Sequence, residues 1–136
     1  MKRFITVLVL TLLFANCSKN DDQIITPVIG KWQLIKVEAN NRTSTTTITD
    51  YTSQNIIYEF TTNSNLNVNS DHSIFKAGNY NYEFKSDYLS GFPSAGETKT
   101  LVVIIDNQKW TYQLVNKQMI LGTSYFDGPD LYLEKI

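Results

Sequence analysis

Between residues 30 and 136, apolar side chains alternate with polar ones in short runs, and no helical apolar period appears. Runs with a period of two, separated by Asn, Asp, Ser and Gly, are typical of antiparallel β-strands with one buried face. The pattern predicts eight strands, at residues 30–39, 55–61, 65–69, 78–85, 98–105, 108–115, 118–123 and 130–135. The predicted fold class is therefore all-β.

The connections between these runs indicate how the strands are arranged. Most are tight-turn signals such as Asp106-Asn107, which favour an antiparallel meander. A meander of eight strands can close into an up-and-down barrel, which removes the exposed edges of the sheet. The alternation slips at Leu34-Ile35, which indicates a bulge in the first strand. We expect loops at 40–54 and 86–97, and residues 71–77 leave room for one short helix.

The N-terminus has the composition of a secretory signal peptide. Lys2 and Arg3 precede 11 uncharged, mostly apolar residues at positions 4–14. A helix of that length rises about 16 Å, well short of the roughly 30 Å hydrocarbon core of a bilayer. We therefore interpret residues 1–16 as a signal peptide and not as a membrane span.

The only cysteine of the chain, Cys17, lies where that signal peptide would be cleaved. Residues 13–17, Leu-Phe-Ala-Asn-Cys, resemble a bacterial lipobox, although Phe14 and Asn16 replace the usual aliphatic and small residues. The resemblance implies that Cys17 is acylated with palmitate-like chains and anchors the mature protein in the outer membrane or at the cell surface of a Gram-negative bacterium. Residues 17–27 would then form a lipidated tether. An ordinary signal peptide followed by an unmodified thiol is the alternative.

Composition argues against several functions. The chain has 12 basic and 13 acidic residues, and removing residues 1–16 with their two basic side chains leaves a net charge of 10 − 13 = −3. No excess of basic residues is present to neutralise the phosphates of a nucleic acid. A single cysteine excludes an internal disulfide and a cysteine-cluster metal site. His72 is the only histidine, and we read it as a solvated turn residue. We expect no enzymatic activity, metal or cofactor.

The order of the strand motifs resembles a known family. Gly30-Lys31-Trp32 resembles the Gly-x-Trp opening of lipocalins and of bacterial lipocalin-like lipoproteins. The segments at 58–60, 65–68, 78–82 and 131–135 are similar to later strands of the latter group, so the resemblance covers residues 28–136. It implies a lipocalin-like barrel of the calycin type in that region.

Two departures from classical lipocalins stand out. Their Thr-Asp-Tyr motif lies late in the barrel, whereas Thr49-Asp50-Tyr51 lies here before the second predicted strand. They also place an arginine over the tryptophan from near the last strand. The only arginine after residue 16 is Arg42, so the cation over Trp32 is unassigned.

Aromatic side chains dominate the predicted inward faces. An eight-stranded barrel either fills its interior with side chains or holds one small ligand, and aromatic residues suit both outcomes. We predict a membrane-anchored barrel that binds a small hydrophobic or amphipathic ligand, reached past the 40–54 connection. The alternative is a non-catalytic structural or interaction module that docks a protein or glycan at the cell surface. The candidate cavity lining is Trp32, Tyr58, Phe60, Tyr80, Tyr82, Trp110 and Tyr112.

Overall fold

The structure, a computed structural model, describes residues 26–40 and 45–136. These residues form nine β-strands and two short 3-10 helices, at Thr52–Gln54 and Ser124–Phe126. None of the helices among them is long and apolar enough to cross a membrane. The strands are β1 (Gly30–Asn40), β2 (Thr46–Asp50), β3 (Ile57–Phe60), β4 (Asn65–Val68), β5 (Gly78–Asp87), β6 (Thr100–Ile105), β7 (Gln108–Val115), β8 (Gln118–Gly122) and β9 (Pro129–Lys135).

Eight of these strands form a closed antiparallel ring. From β3 to β9 each strand pairs with the next one along the chain, β9 pairs with β1, and the first half of β1 pairs with β3. The ring is the predicted up-and-down barrel, and its eight members correspond to the eight predicted strands. The edge of β1 that faces β3 is paired along its length, because its first half pairs with β3 and its second half pairs with β2.

The strand β2 was not predicted, because the expected 40–54 loop contains both β2 and a 3-10 helix. All five residues of β2 are exposed, so the strand has no buried face and no alternation to detect. Its threonines favour the extended backbone. The second expected loop is shifted, since β5 continues to Asp87 and the connection covers 88–99. No helix forms within residues 71–77.

The predicted bulge in β1 is confirmed. Leu34 pairs with Leu133, whereas Lys36 pairs with Tyr132, so one extra residue is accommodated in β1 between them. The insertion changes the phase of the strand, and Trp32, Leu34 and Val37 are all buried. The bulge therefore lets a long strand bend around the barrel while it keeps presenting apolar side chains to the interior.

The two ends of the barrel differ. We call the end where β1 begins and β7 and β9 finish the tether end. The opposite end is the strap end, because the β4–β5 connection, residues 69–77, lies there; we call these residues the strap. The connection between β8 and β9 also lies at the strap end, whereas the β5–β6 connection and the turns after β3 and β7 lie at the tether end.

Candidate functional site

The predicted lining residues belong to the barrel core. Six of the seven are buried, and Tyr80 is partly buried against them. Phe60 and Tyr82 meet edge to face with ring centroids 5.0 Å apart, which is a favourable geometry for aromatic pairs. These side chains therefore face the interior of the barrel, as the alternation in the sequence predicts. Binding of a ligand by these residues stays a prediction.

Phe75, which the sequence analysis did not select, contributes the central ring of the strap-end half of the interior. It extends from the strap, with ring centroids 6.0 Å from Tyr58, 5.2 Å from Tyr80 and 5.7 Å from Trp110. Phe75 is itself buried. The available signal was a pair of apolar residues, Ile74 and Phe75, inside an otherwise polar connection. The strap therefore inserts a side chain into the barrel and does not simply join two strands.

His72 is not a solvated turn residue, and that reading is wrong. Its Nε2 lies 2.5 Å from the hydroxyl oxygen of Tyr58, and its Nδ1 accepts a hydrogen bond from the backbone N–H of Ile74 at 3.3 Å. Burial lowers the pKa of His72 from 6.5 to about 4, and the nearby charge of Asp71 opposes this shift in part. The imidazole is therefore neutral at pH 7, with its proton on Nε2, where it can donate to Tyr58.

Further hydrogen bonds hold the strap over its end of the barrel. The Tyr51 hydroxyl donates to Ser73 Oγ at 3.0 Å and accepts from the Ser73 N–H at 3.3 Å. The carboxylate of Asp71 accepts from the Ala77 N–H at 2.7 Å, which closes the strap on itself. Tyr51 is buried. Tyr51 belongs to the Thr49-Asp50-Tyr51 segment, which lies too early in the chain for the lipocalin motif that it resembles. Its hydroxyl nevertheless holds the strap in place.

Two inward-facing polar groups on β7 have no hydrogen-bond partner among the described residues. These are the Nε1 of Trp110 and the hydroxyl of Tyr112, and both atoms are buried. The corresponding groups of Trp32, Tyr80 and Tyr82 donate to the backbone oxygens of Val28, Lys76 and Thr61 at 2.6–2.7 Å. A buried polar group without a partner costs about 1–3 kcal/mol. Trp110 and Tyr112 therefore present two donors inside the barrel that an acceptor would satisfy.

The mouth of the tether end next to Tyr112 has exposed apolar side chains. Phe84 packs edge to face on Tyr112, with centroids 5.1 Å apart. Continuing the β6–β7 register places Leu101 opposite Tyr112. Leu101 and Leu114 lie at strand positions whose alternation faces the barrel interior, but their exposed fractions are 44% and 51%. Apolar side chains at inward positions are thus accessible from solvent at this end.

A pocket of about 250 Å³ adjoins this mouth, lined by Pro27, Trp32, Leu114, Lys117 and Lys135. The Nζ of Lys135 lies 4.8 Å from the centre of the Trp32 ring and donates to the Ile29 oxygen at 2.9 Å. Lys135 therefore supplies the cation over Trp32 that the sequence analysis left unassigned. The available signal was a lysine near the end of the last strand, where classical lipocalins place an arginine.

Comparisons of the chain with protein-family models, with curated proteins and with solved structures found no match in any of the three. The closed eight-stranded antiparallel barrel is consistent with a lipocalin-like fold of the calycin type. The predicted signal peptide and Cys17 lie outside the described residues.

Proposed function

We propose that this chain is a non-catalytic binding protein whose barrel takes a small, largely apolar ligand that carries a hydrogen-bond acceptor. The observation that carries the proposal is the pair of buried, unpartnered donors on β7, Trp110 Nε1 and Tyr112 Oη. A ligand oxygen that accepts from either donor recovers the free energy lost when that group left water. The surrounding rings then provide the apolar contacts.

The ligand reaches the interior from the tether end. The strap covers the opposite end, where the hydrogen bonds of Tyr51 and His72 and the ring of Phe75 lie. At the tether end, by contrast, Leu101 and Leu114 leave inward-facing apolar surface exposed. The route expected past residues 40–54 is therefore replaced in this proposal by one past the ends of β6 and β7.

Probe binding tests this proposal. A fatty acid and a hydrocarbon of equal chain length are titrated while tryptophan emission is followed. Because only the fatty acid has an acceptor, Tyr112→Phe should weaken its binding about five- to tenfold and leave hydrocarbon binding nearly unchanged. Tyr82→Phe is the matched control, since the Tyr82 hydroxyl already donates to Thr61. If a panel of apolar and amphipathic probes changes neither the emission nor the melting temperature, the ligand-binding proposal is refuted.

The second part of the proposal is a lipid anchor on Cys17 that holds the barrel at the outer membrane or the cell surface. Its support is the charged N-terminus, the 11-residue apolar run and the position of the sole cysteine. Two or three acyl chains anchor a protein stably, whereas one chain binds only marginally. Cys17→Ala should abolish incorporation of a palmitate analogue and release the protein from the membrane fraction. Wild-type protein that takes up no label contradicts the anchor.

A different observation favours a second function, that of an interaction module. Tyr125 and Phe126, in the connection between β8 and β9, form an edge-to-face pair with centroids 4.6 Å apart, and both rings are exposed. Aromatic side chains of this kind are enriched where proteins meet partners. Phe126→Ser should then abolish binding to a cell-surface protein or glycan without changing probe binding. A Phe126→Ser variant that retains its partner would exclude this surface.

A further inference from the structure

Four apolar side chains at the tether end are exposed. Leu114 and Trp32 line the same pocket, Val115 follows Leu114 at the end of β7, and Ile136 follows Lys135 beside β1. The Ile136 N–H donates to the Lys31 oxygen at 3.1 Å, which fixes the C-terminus at this rim. The exposed fractions are 44% for Leu101, 51% for Leu114, 49% for Val115 and 63% for Ile136. We call these four side chains the apolar rim.

Two lysines accompany the apolar rim. Lys117 and Lys135 line the Trp32 pocket together with Leu114, and neither ammonium forms an ion pair with a carboxylate in the part of the chain that the structure describes. Lys135 bonds to a backbone oxygen and lies over an aromatic ring, so its charge is not neutralised. Apolar side chains flanked by lysines are the combination that binds the interface of an anionic bilayer.

The chain also enters the barrel at this end. Pro27 lines the pocket beside Trp32, so the first residues that the structure describes lie at the tether end. Nine residues separate Cys17 from Pro27. The ten residue steps from Cys17 to Pro27 span at most roughly 36 Å when fully extended. An acyl anchor on Cys17 would hold the apolar rim within that distance of the membrane.

We propose that the tether end docks on the bilayer surface, with the apolar rim in the interface and with Lys117 and Lys135 against anionic phospholipid head groups. The inference rests on the proposed function only for the anchor that brings the barrel to the membrane. The occupant of this surface is the lipid bilayer, because Pro27, the exposed apolar side chains and the two lysines without a carboxylate partner all lie at one end. A ligand of the barrel would then arrive from the bilayer and not from solution.

The experiment measures which end of the barrel contacts lipid. The chain without the interpreted signal peptide, residues 17–136, carries Cys17→Ser together with either Leu114→Cys or Phe126→Cys, and an environment-sensitive fluorophore is attached to the new thiol. The two positions are a matched pair, since both side chains are 51% exposed and lie at opposite ends. Vesicles contain phosphatidylcholine alone or mixed with phosphatidylglycerol, and a fraction of the lipid carries a quencher.

The fluorophore at position 114 should be quenched on phosphatidylglycerol vesicles, and the fluorophore at position 126 should not. Lys117→Gln should lower the partition coefficient onto those vesicles about fivefold, the effect expected for one lysine near an anionic surface. Lys76→Gln, the same charge change on the strap, should leave it unaltered. Circular dichroism of each variant verifies that the barrel is folded.

Equal quenching at both positions, or no association with either kind of vesicle, overturns the docking proposal. So does a fluorophore at position 114 that becomes shielded as protein concentration rises without vesicles, because a second copy of the chain would then cover the rim. Probe binding in vesicle-free solution is measured on the chain without substitutions in the barrel. Its absence would refute the ligand-binding proposal while leaving the docking result intact, so the two failures are distinguishable.

Discussion

Acidification from pH 7 to 5 should destabilise the barrel through His72. The pKa of this imidazole is lowered to about 4 by burial, whereas an unfolded chain titrates near 6.5. Between these two values the unfolded state binds more protons than the folded state, so the free energy of unfolding decreases as the pH falls. The contribution is fully present above pH 6.5 and is lost as the pH approaches 4.

The expected magnitude follows from the displacement of the pKa. At 1.36 kcal/mol per pH unit, a change from 6.5 to about 4 sets a ceiling of about 3 kcal/mol. Because the imidazole is only partly buried, solvent screening reduces this to about 1–2 kcal/mol, of which about 1 kcal/mol is lost by pH 5. Protonation also converts Nδ1 from an acceptor into a donor, which opposes the Ile74 N–H that bonds to it.

Urea denaturation at about pH 7, 6 and 5 measures this loss in wild type and in His72→Gln, whose side chain does not titrate. The wild-type free energy of unfolding should fall by roughly 1 kcal/mol over the interval, and the variant should be nearly flat. Asp71, which faces His72, has a lowered pKa because the Ala77 N–H bonds to it, so it contributes only at lower pH. A flat wild-type profile, or an equal slope in His72→Gln, would refute the reasoning.

Three further substitutions test the packing, each measured by thermal and denaturant unfolding. Lys135→Met removes the cation over Trp32 and should cost about 1 kcal/mol, or roughly 4 °C in melting temperature; unchanged stability contradicts the contact. Phe75→Ala should cost about 3–5 kcal/mol, and a loss below 1 kcal/mol would show that the strap is dispensable. Gly128→Ala should cost about 1–3 kcal/mol, because the added Cβ would lie 2.9 Å from the Cβ of buried Thr123. A Gly128→Ala variant as stable as wild type would contradict this close packing.

The strands of the closed ring were predictable because each has one buried and one solvated face. Tyr58 and Phe60 of β3 and Leu66 and Val68 of β4 are all buried, and the residues between them are not. The strand β2 gives no such signal, since all five of its residues are exposed. Periodicity reports burial and not backbone conformation, so an exposed strand escapes it.

The candidate site was predictable in part for the same reason. Inward phase selects the aromatic residues of the core, but it does not say which polar atoms find partners across the barrel. The Tyr82 hydroxyl reaches Thr61, whereas the hydroxyl of Tyr112 reaches no acceptor among the described residues, and the two sequences around them look alike. His72 was misread because its burial depends on Tyr51 and Tyr58, which are distant in sequence.

The asymmetry between the two ends decides which of them a ligand can use. Opening the strap end would separate Tyr51 from Ser73 and Tyr58 from His72 and withdraw Phe75 from the interior. Each lost hydrogen bond costs about 0.5–1.5 kcal/mol, and exposing the phenyl ring costs a further 1.5–3 kcal/mol. At the tether end Leu101 and Leu114 are already exposed, and the buried contact there is the hydrogen bond from Trp32 Nε1 to the Val28 oxygen. Access for a ligand and contact with the bilayer would therefore coincide at the end where β1 begins.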